Sequence, residues 1–196
     1  MTALVIDGHP NPDSLTAAIA RRYAEAYGDA TVLAVRDLEF DVNLHLGHRG
    51  EQHPEPDIAR AQALIEAADH VVVAAPVWWG SIPAMLKGFI DRTFLPGWAF
   101  RYRKGGLVTG LLAGRSARVI ITTDSPLWYL QLVGDTTVRH VRGRVLRFSG
   151  FSPVTATRLG PVRGSTLARR EAWLEKIATI ASSDAAAAQK SLARQR

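Results

Sequence analysis

The stretch 71–92 constrains the fold of this chain more than any other part of the sequence. It begins with the apolar run Val-Val-Val-Ala-Ala, passes through a turn that holds Trp-Trp-Gly between two prolines, and restarts with helical periodicity. A continuous apolar run is typical of a parallel strand covered on both faces. A strand that turns straight into a helix indicates the carboxyl edge of an open α/β sheet, where such sheets bind ligands. One alternative stays open here, namely that Trp78 and Trp79 only plug the end of the sheet.

Apolar runs of strand length alternate with segments of helical period along the whole chain. Strands are predicted at 3–6, 31–35, 71–75, 117–123 and 153–158, and helices at 14–27, 57–68, 83–94, within 128–148, and at 166–182. Five strand–helix units with short connections predict a parallel sheet between two layers of helices. Right-handed crossovers make 2-1-3-4-5 the simplest strand order for this α/β three-layer sandwich.

The length and composition predict one domain with a full hydrophobic core, since the chain has 196 residues of which 47% are hydrophobic. We expect this domain to span 1–184. The segment 185–196 is rich in Ala, Gln and Arg without an apolar stripe, and predicts a frayed helix or a disordered tail. The sequence shows no signal-peptide pattern and no apolar run near the roughly 18 residues of a membrane span, so we expect a cytoplasmic protein.

The formal net charge of +6 favours anionic partners. A basic cluster within 139–147 would suit nucleic acid, but Val141 and Val145 interleave with its arginines as the buried stripe of a helix would. We therefore expect the arginines to be a solvated helix face, and we expect no nucleic-acid partner. The chain has no Cys, and His45, His48 and His53 lack a regular ligand spacing, so no metal site is expected.

The turn after the first predicted strand reads Gly-His-Pro-Asn-Pro-Asp-Ser-Leu-Thr over 8–16. Ser14 or Asp13 is placed to cap the following helix, and a helix N-terminus with hydroxyls and free N–H groups can hold an anion. Capping alone would also explain Ser14. The chain has neither the Gly-x-Gly-x-x-Gly motif of dinucleotide-binding turns nor the lysine of a phosphate-binding P-loop.

Three blocks in order resemble the flavodoxin-fold NAD(P)H:quinone oxidoreductases, which include the DT-diaphorases and the flavin-binding ancillary proteins of potassium efflux systems. The blocks are His9-Pro10-x-x-x-Ser14, then Pro76-x-Trp78-Trp79-Gly80-x-x-Pro83-x-x-Leu86-Lys87-Gly88-Phe89-x-Asp91-Arg92, and Thr122-Thr123 at the end of the fourth predicted strand. The similarity covers about 4–176. It implies a flavodoxin-like fold with a flavin at the carboxyl ends of the strands.

The resemblance implies a role for each matching residue. The flavin phosphate would be held by His9, Ser14, Leu15 and Thr16. The isoalloxazine ring would lie against Pro76, Val77, Trp78, Trp79 and Gly80, with Gly80 letting the backbone approach, and would touch Thr122 and Thr123. Tyr129 matches a tyrosine beside the nicotinamide or quinone and would be the catalytic residue, although packing at the start of its helix explains it equally well.

The chain departs from the family pattern in two places. Asp124-Ser125-Pro126 follows Thr123 where the family often has two glycines, so the contact with the ring is expected to differ. No histidine lies between Tyr129 and Asp135, where DT-diaphorases have one. His140 lies too far along the chain to replace it.

The resemblance implies an enzyme that transfers hydride from NAD(P)H through a flavin to a quinone or a similar flat acceptor. FMN is expected because the chain is shorter than the DT-diaphorases, and FAD is left open. The alternative is a flavin-binding regulatory subunit of a transport system with incidental activity. A one-electron carrier is disfavoured because carriers usually have an acidic docking face.

A homodimer is also expected. The loop 95–106 carries Trp98, Phe100 and Tyr102 among basic residues. Enrichment in aromatic residues and Arg is typical of the core of an interface.

Overall fold

The computed structural model describes residues 1–47, 52–103 and 105–193, so His48 lies outside the described residues. Its main feature is a five-stranded parallel sheet, accompanied by a separate antiparallel hairpin. The strands are β1 (Ala3–Asp7), β2 (Ala30–Ala34), β3 (His70–Pro76), the hairpin pair β4 (Phe100–Tyr102) and β5 (Val108–Gly110), β6 (Ser116–Thr122) and β7 (Val154–Leu159). The sheet order is β2-β1-β3-β6-β7. This confirms the predicted order 2-1-3-4-5, because β6 and β7 are the fourth and fifth predicted strands.

Helices cover both faces of the sheet. They are α1 (Leu15–Tyr27), α2 (Pro56–Ala67), α3 (Ala84–Thr93), α4 (Leu127–Val133), α5 (Thr136–Val138, continued by π-type hydrogen bonds over Arg139–Arg147) and α6 (Leu167–Ala193). The first and last helices pack together on one face, and the other face carries α2, α3 and α5. Among the described residues, no helix combines the length and apolar character that crossing a membrane requires.

The central strand β3 explains the apolar run that the sequence shows. All seven of its residues are buried. Val71 and Val73 pack into the core beneath α2 and α3, while Val72 and Ala74 pack into the core beneath α1 and α6. Successive side chains of a strand point to opposite faces, so a strand between two helical layers is apolar over most of its length, as Val71–Ala75 are.

The prediction of one helix within 128–148 is wrong, because two helices occupy this stretch. Gly134 has a positive φ of 74° between them, and Asp135 begins the second helix. The Asp135 carboxylate accepts a hydrogen bond from the Val138 N–H at 2.9 Å and another from Arg158 Nε at 2.6 Å. A capping side chain of this kind stabilises a new helix start.

The α5 helix buries Val141, Val145 and Leu146 and leaves Arg144 and Arg147 exposed, as its apolar stripe predicts. Phe148 differs from this pattern, because 38% of its surface remains exposed.

The final helix α6 continues without a break across the boundary that we expected between residues 184 and 185. Asp184 anchors this part of the helix, since its carboxylate accepts hydrogen bonds from Arg118 Nε at 2.5 Å and the Tyr23 hydroxyl at 2.6 Å. Ala188, one turn further on, is also buried. The Asp184 carboxylate and the small buried Ala188 thus hold this part of α6 against the domain, although it has no apolar stripe. The domain limits themselves stay a prediction.

The hairpin lies in the long connection after α3, and most of its aromatic residues pack within the same molecule. Phe100 is buried, with its ring centroid 4.8 Å from that of Phe148. Trp98 is partly buried and donates its indole N–H to Glu66 at 2.6 Å. Tyr102 remains 66% exposed.

Candidate functional site

One cleft lies where β1, β3 and β6 end and unites the three turns singled out from the sequence. It is lined by His9, Ser14, Leu15, Thr16, Pro76, Val77, Trp78, Thr122, Thr123, Asp124 and Val162. Nine of the residues predicted for the site are among them. Trp79, Gly80 and Tyr129 are not.

The turn after β1 is fixed by a buried ion pair that the sequence reasoning missed. The Asp7 side chain is only 2% exposed, and its Oδ2 accepts a hydrogen bond from Arg36 at 2.5 Å. Its Oδ1 accepts the His9 N–H at 3.1 Å, while Arg36 donates to the His9 carbonyl at 3.0 Å. The predicted strand order could have indicated this pair. Asp7 ends β1, Arg36 follows β2, and these two strands are neighbours in the sheet. Burial is the main cause that lowers the pKa of His9 from 6.5.

The N-terminus of α1 forms one side of the cleft. Ser14 is the N-cap, and its Oγ accepts the Ala17 N–H at 3.1 Å. The hydroxyl can still donate, and the first N–H groups of a helix have no partner within that helix. Thr16 and Thr122 are buried, and their hydroxyl oxygens lie 2.9 Å apart, which ties α1 to β6. This end of the cleft is suited to an anion.

The turn after β3 separates the two adjacent tryptophans. Trp78 and Ser81 exchange backbone hydrogen bonds of 2.8 and 2.9 Å, and Trp79 and Gly80 between them have φ values of 52° and 71°. Two positive φ values in this position are typical of a type I′ turn. Trp78 faces the cleft, edge-on to His9 with ring centroids 5.5 Å apart. The plug interpretation is wrong, because Trp78 is 44% and Trp79 fully exposed.

A glycine is favoured at position 80 by the backbone conformation of this turn. A Cβ at this position would meet Thr136 Oγ1 at 3.7 Å, which is ordinary contact, but the φ of 71° disfavours any L side chain. Thr136 also donates its hydroxyl to the Gly80 carbonyl at 2.8 Å. The close approach to a ring that the resemblance implied is therefore not needed to explain the glycine.

Another part of the cleft is built from the loops after β6 and β7, which are held against each other. The Val162 N–H donates to the Thr123 carbonyl at 3.0 Å, and the Arg163 N–H donates to Asp124 Oδ1 at 2.6 Å. Gly160 permits this contact, since a Cβ there would lie 2.4 Å from the Thr123 carbonyl oxygen. The sequence reasoning missed Val162, although it follows the strand that neighbours β6 and so belongs to the same edge of the sheet.

Tyr129 lies on α4, directly after the turn that carries Asp124. Its side chain is 45% exposed, and its ring lies edge-on to that of Trp128 at 6.0 Å. Its backbone N–H donates to the Pro126 carbonyl at 3.0 Å. The structure therefore places the tyrosine beside the cleft wall and outside the cleft lining.

The chain is similar to a family of known fold. The family model described as "Flavodoxin-like fold" matches residues 1–181. A Haemophilus influenzae protein named uncharacterized NAD(P)H oxidoreductase is 33% identical over 71% of this chain and 73% of its own length. FMN-dependent NADH:quinone oxidoreductase 1 of Xanthomonas axonopodis pv. citri is 30% identical over 88% of this chain and 89% of its own.

The fold of the chain is also similar to that of a solved structure. The crystal structure of Smu.1420 from Streptococcus mutans UA159 superposes with a TM-score of 0.83 at 29% identity. It covers 93% of this chain and 100% of its own.

Proposed function

The chain belongs to the flavodoxin-like fold family matched over residues 1–181, and from this membership we propose that it is an FMN-dependent NAD(P)H:quinone oxidoreductase. The observation that carries the proposal is the cleft that joins the turns after β1, β3 and β6. FMN, when bound, would supply the hydride chemistry between NAD(P)H and the quinone. The protein would supply binding, orientation and electrostatics.

The residues of the cleft fit FMN in their chemistry. The α1 N-terminus offers N–H groups and the Ser14 and Thr16 hydroxyls to a phosphate. Pro76, Val77 and Trp78 offer an apolar surface to a flat ring, and Thr122 and Thr123 line the cleft at the end of the neighbouring strand. Phosphate at a helix N-terminus needs no lysine, which agrees with a lining that contains none.

The binding experiment compares FMN with riboflavin, which lacks the phosphate. We expect Ser14→Ala to weaken FMN binding about tenfold, or 1.4 kcal/mol, and to leave riboflavin binding nearly unchanged, because the hydroxyl contacts a charged group. Thr166→Ala is the matched control, since Thr166 caps α6 away from the cleft by accepting the Arg169 N–H at 3.2 Å. Equal losses for both ligands in Ser14→Ala would contradict a phosphate role for this turn.

Turnover separates the enzyme from the regulatory-subunit alternative. The FMN-loaded protein should oxidise NADPH or NADH continuously when a soluble quinone is present. Binding of FMN without such turnover would favour the regulatory subunit.

We further propose a homodimer in the cytoplasm, where NAD(P)H is available. The support for the dimer is a set of exposed apolar side chains on the turn after β3 and on α3 and α4. Trp79 is fully exposed, and Trp128, Leu132 and Met85 are 66%, 77% and 37% exposed. Large exposed apolar side chains that form one patch are typical of an interface. A fully active monomer in light scattering would contradict the dimer.

A further inference from the structure

One acidic side chain lines the candidate cleft. Among the described residues of its lining, Asp124 is the only Asp, Glu, Lys or Arg. Its carboxylate pairs with Arg163, whose Nε lies 3.9 Å from Asp124 Oδ2. The Arg163 side chain is 89% exposed and the Asp124 side chain 56%, so water screens this pair strongly.

The position of the Asp124 carboxylate is fixed by the backbone. Its Oδ1 accepts the Arg163 N–H at 2.6 Å, and the adjacent Thr123 carbonyl accepts the Val162 N–H. Thr123 Oγ1 in turn accepts the Ser125 N–H at 3.1 Å. The carboxylate therefore has two separable properties, a hydrogen bond that holds the loop after β7 and a negative charge at the wall of the cleft.

We propose that the Asp124 charge lowers the two-electron reduction potential of bound FMN and so makes the reduced cofactor a stronger donor to the quinone. The inference rests on the proposed function. Reduction at neutral pH adds two electrons and one proton to the flavin ring, which leaves the ring one unit more negative. A carboxylate at the cleft wall repels this charge and favours the oxidised form.

The test compares Asp124→Asn with Asp124→Ala and with the matched control Asp29→Asn. The amide oxygen of the asparagine can still accept the Arg163 N–H, so this variant removes mainly the charge, while alanine removes both properties. Asp29 is an exposed carboxylate between α1 and β2, at the far end of α1 from the cleft. The readouts are the affinity for oxidised FMN and the midpoint potential, each at low and high salt.

In Asp124→Asn we expect the affinity for reduced FMN to rise about tenfold relative to that for oxidised FMN, which is about 30 mV for a two-electron couple. High salt should shrink the difference from wild type, because salt screens an exposed charge. Asp29→Asn should match wild type. An unchanged potential in Asp124→Asn, with FMN bound, overturns this inference and leaves the proposed function standing. Failure of the wild-type protein to bind FMN overturns both.

Discussion

Acid should destabilise this protein through His70, a histidine buried at the end of the sheet opposite the cleft. The His70 side chain is 5% exposed. Its Nε2 lies 3.0 Å from the Tyr23 hydroxyl, which donates its one proton to Asp184 at 2.6 Å, so Nε2 must donate to the tyrosine oxygen. Nδ1 then accepts from the Ser116 hydroxyl at 2.7 Å. These partners fit the neutral imidazole.

Burial is the main cause that lowers the pKa of His70 from 6.5 to about 4, with Arg118 lowering it further and Asp184 opposing the shift. The unfolded chain therefore binds more protons than the folded chain between pH 6.5 and about 4, and stability falls as the pH is lowered through this window. The shift spans about 2.5 pH units, and each unit corresponds to about 1.36 kcal/mol. The free energy of unfolding should thus fall by about 3 kcal/mol from this residue alone.

The measurement is urea unfolding followed by tryptophan fluorescence across this pH range, without added flavin. His70→Gln does not titrate and keeps an amide for Ser116 and Tyr23, so its free energy of unfolding should depend less on pH by about 3 kcal/mol. His45→Gln is the control, because His45 is exposed and paired with Asp41. Equal pH dependence in wild type and His70→Gln would refute the reasoning. Asp184 does not confuse the test, since its pKa is lowered from 3.8 and its contribution is lost below this window.

Two further variants test the loop before α2 and the catalytic role of the tyrosine. Glu55→Gln should lower the free energy of unfolding by about 2 kcal/mol in chemical denaturation, because Arg92 is 1% exposed and pairs with Glu55 at 2.6 Å. Glu25→Gln, an exposed carboxylate, should change little, and equal effects would count against the buried pair. Tyr129→Phe should slow the quinone half-reaction about tenfold in stopped-flow measurements with flavin content unchanged, if its hydroxyl meets developing charge on the quinone. An unchanged rate would indicate that Tyr129 only packs at the start of its helix and takes no part in catalysis.

The sheet could be predicted because strands that are buried on both faces, such as β1 and β3, appear in the sequence as short continuous apolar runs. The elements that were missed depend on contacts which no local pattern reveals. The break at Gly134 follows from a left-handed backbone residue and an Asp135 cap, and both lie inside an otherwise helical pattern. The part of α6 around Asp184 is held by the hydrogen bonds of this carboxylate, whose partners lie on α1 and β6, far away in sequence.

The candidate site could be predicted to the level of its turns, because the carboxyl ends of adjacent parallel strands must meet at one edge. The same argument applies to Val162, since β7 neighbours β6. It was not predicted because a valine after a strand does not by itself indicate a binding residue. The pairing of Asp7 with Arg36 could not be read from composition. Each is an ordinary charged residue until the order of β1 and β2 brings them together.

The two tryptophans show why residue type alone does not decide which side chain meets a ligand. Trp78 and Trp79 are neighbours of identical chemistry, yet Trp78 lines the cleft and Trp79 is fully exposed. The difference arises from the turn, in which Trp79 adopts a φ of 52° and its backbone is held by the hydrogen bonds between Trp78 and Ser81. A positive φ is costly for a bulky residue and persists where the surrounding structure enforces it. The pair therefore serves two surfaces, with Trp78 facing the proposed flavin and Trp79 available to the proposed second subunit.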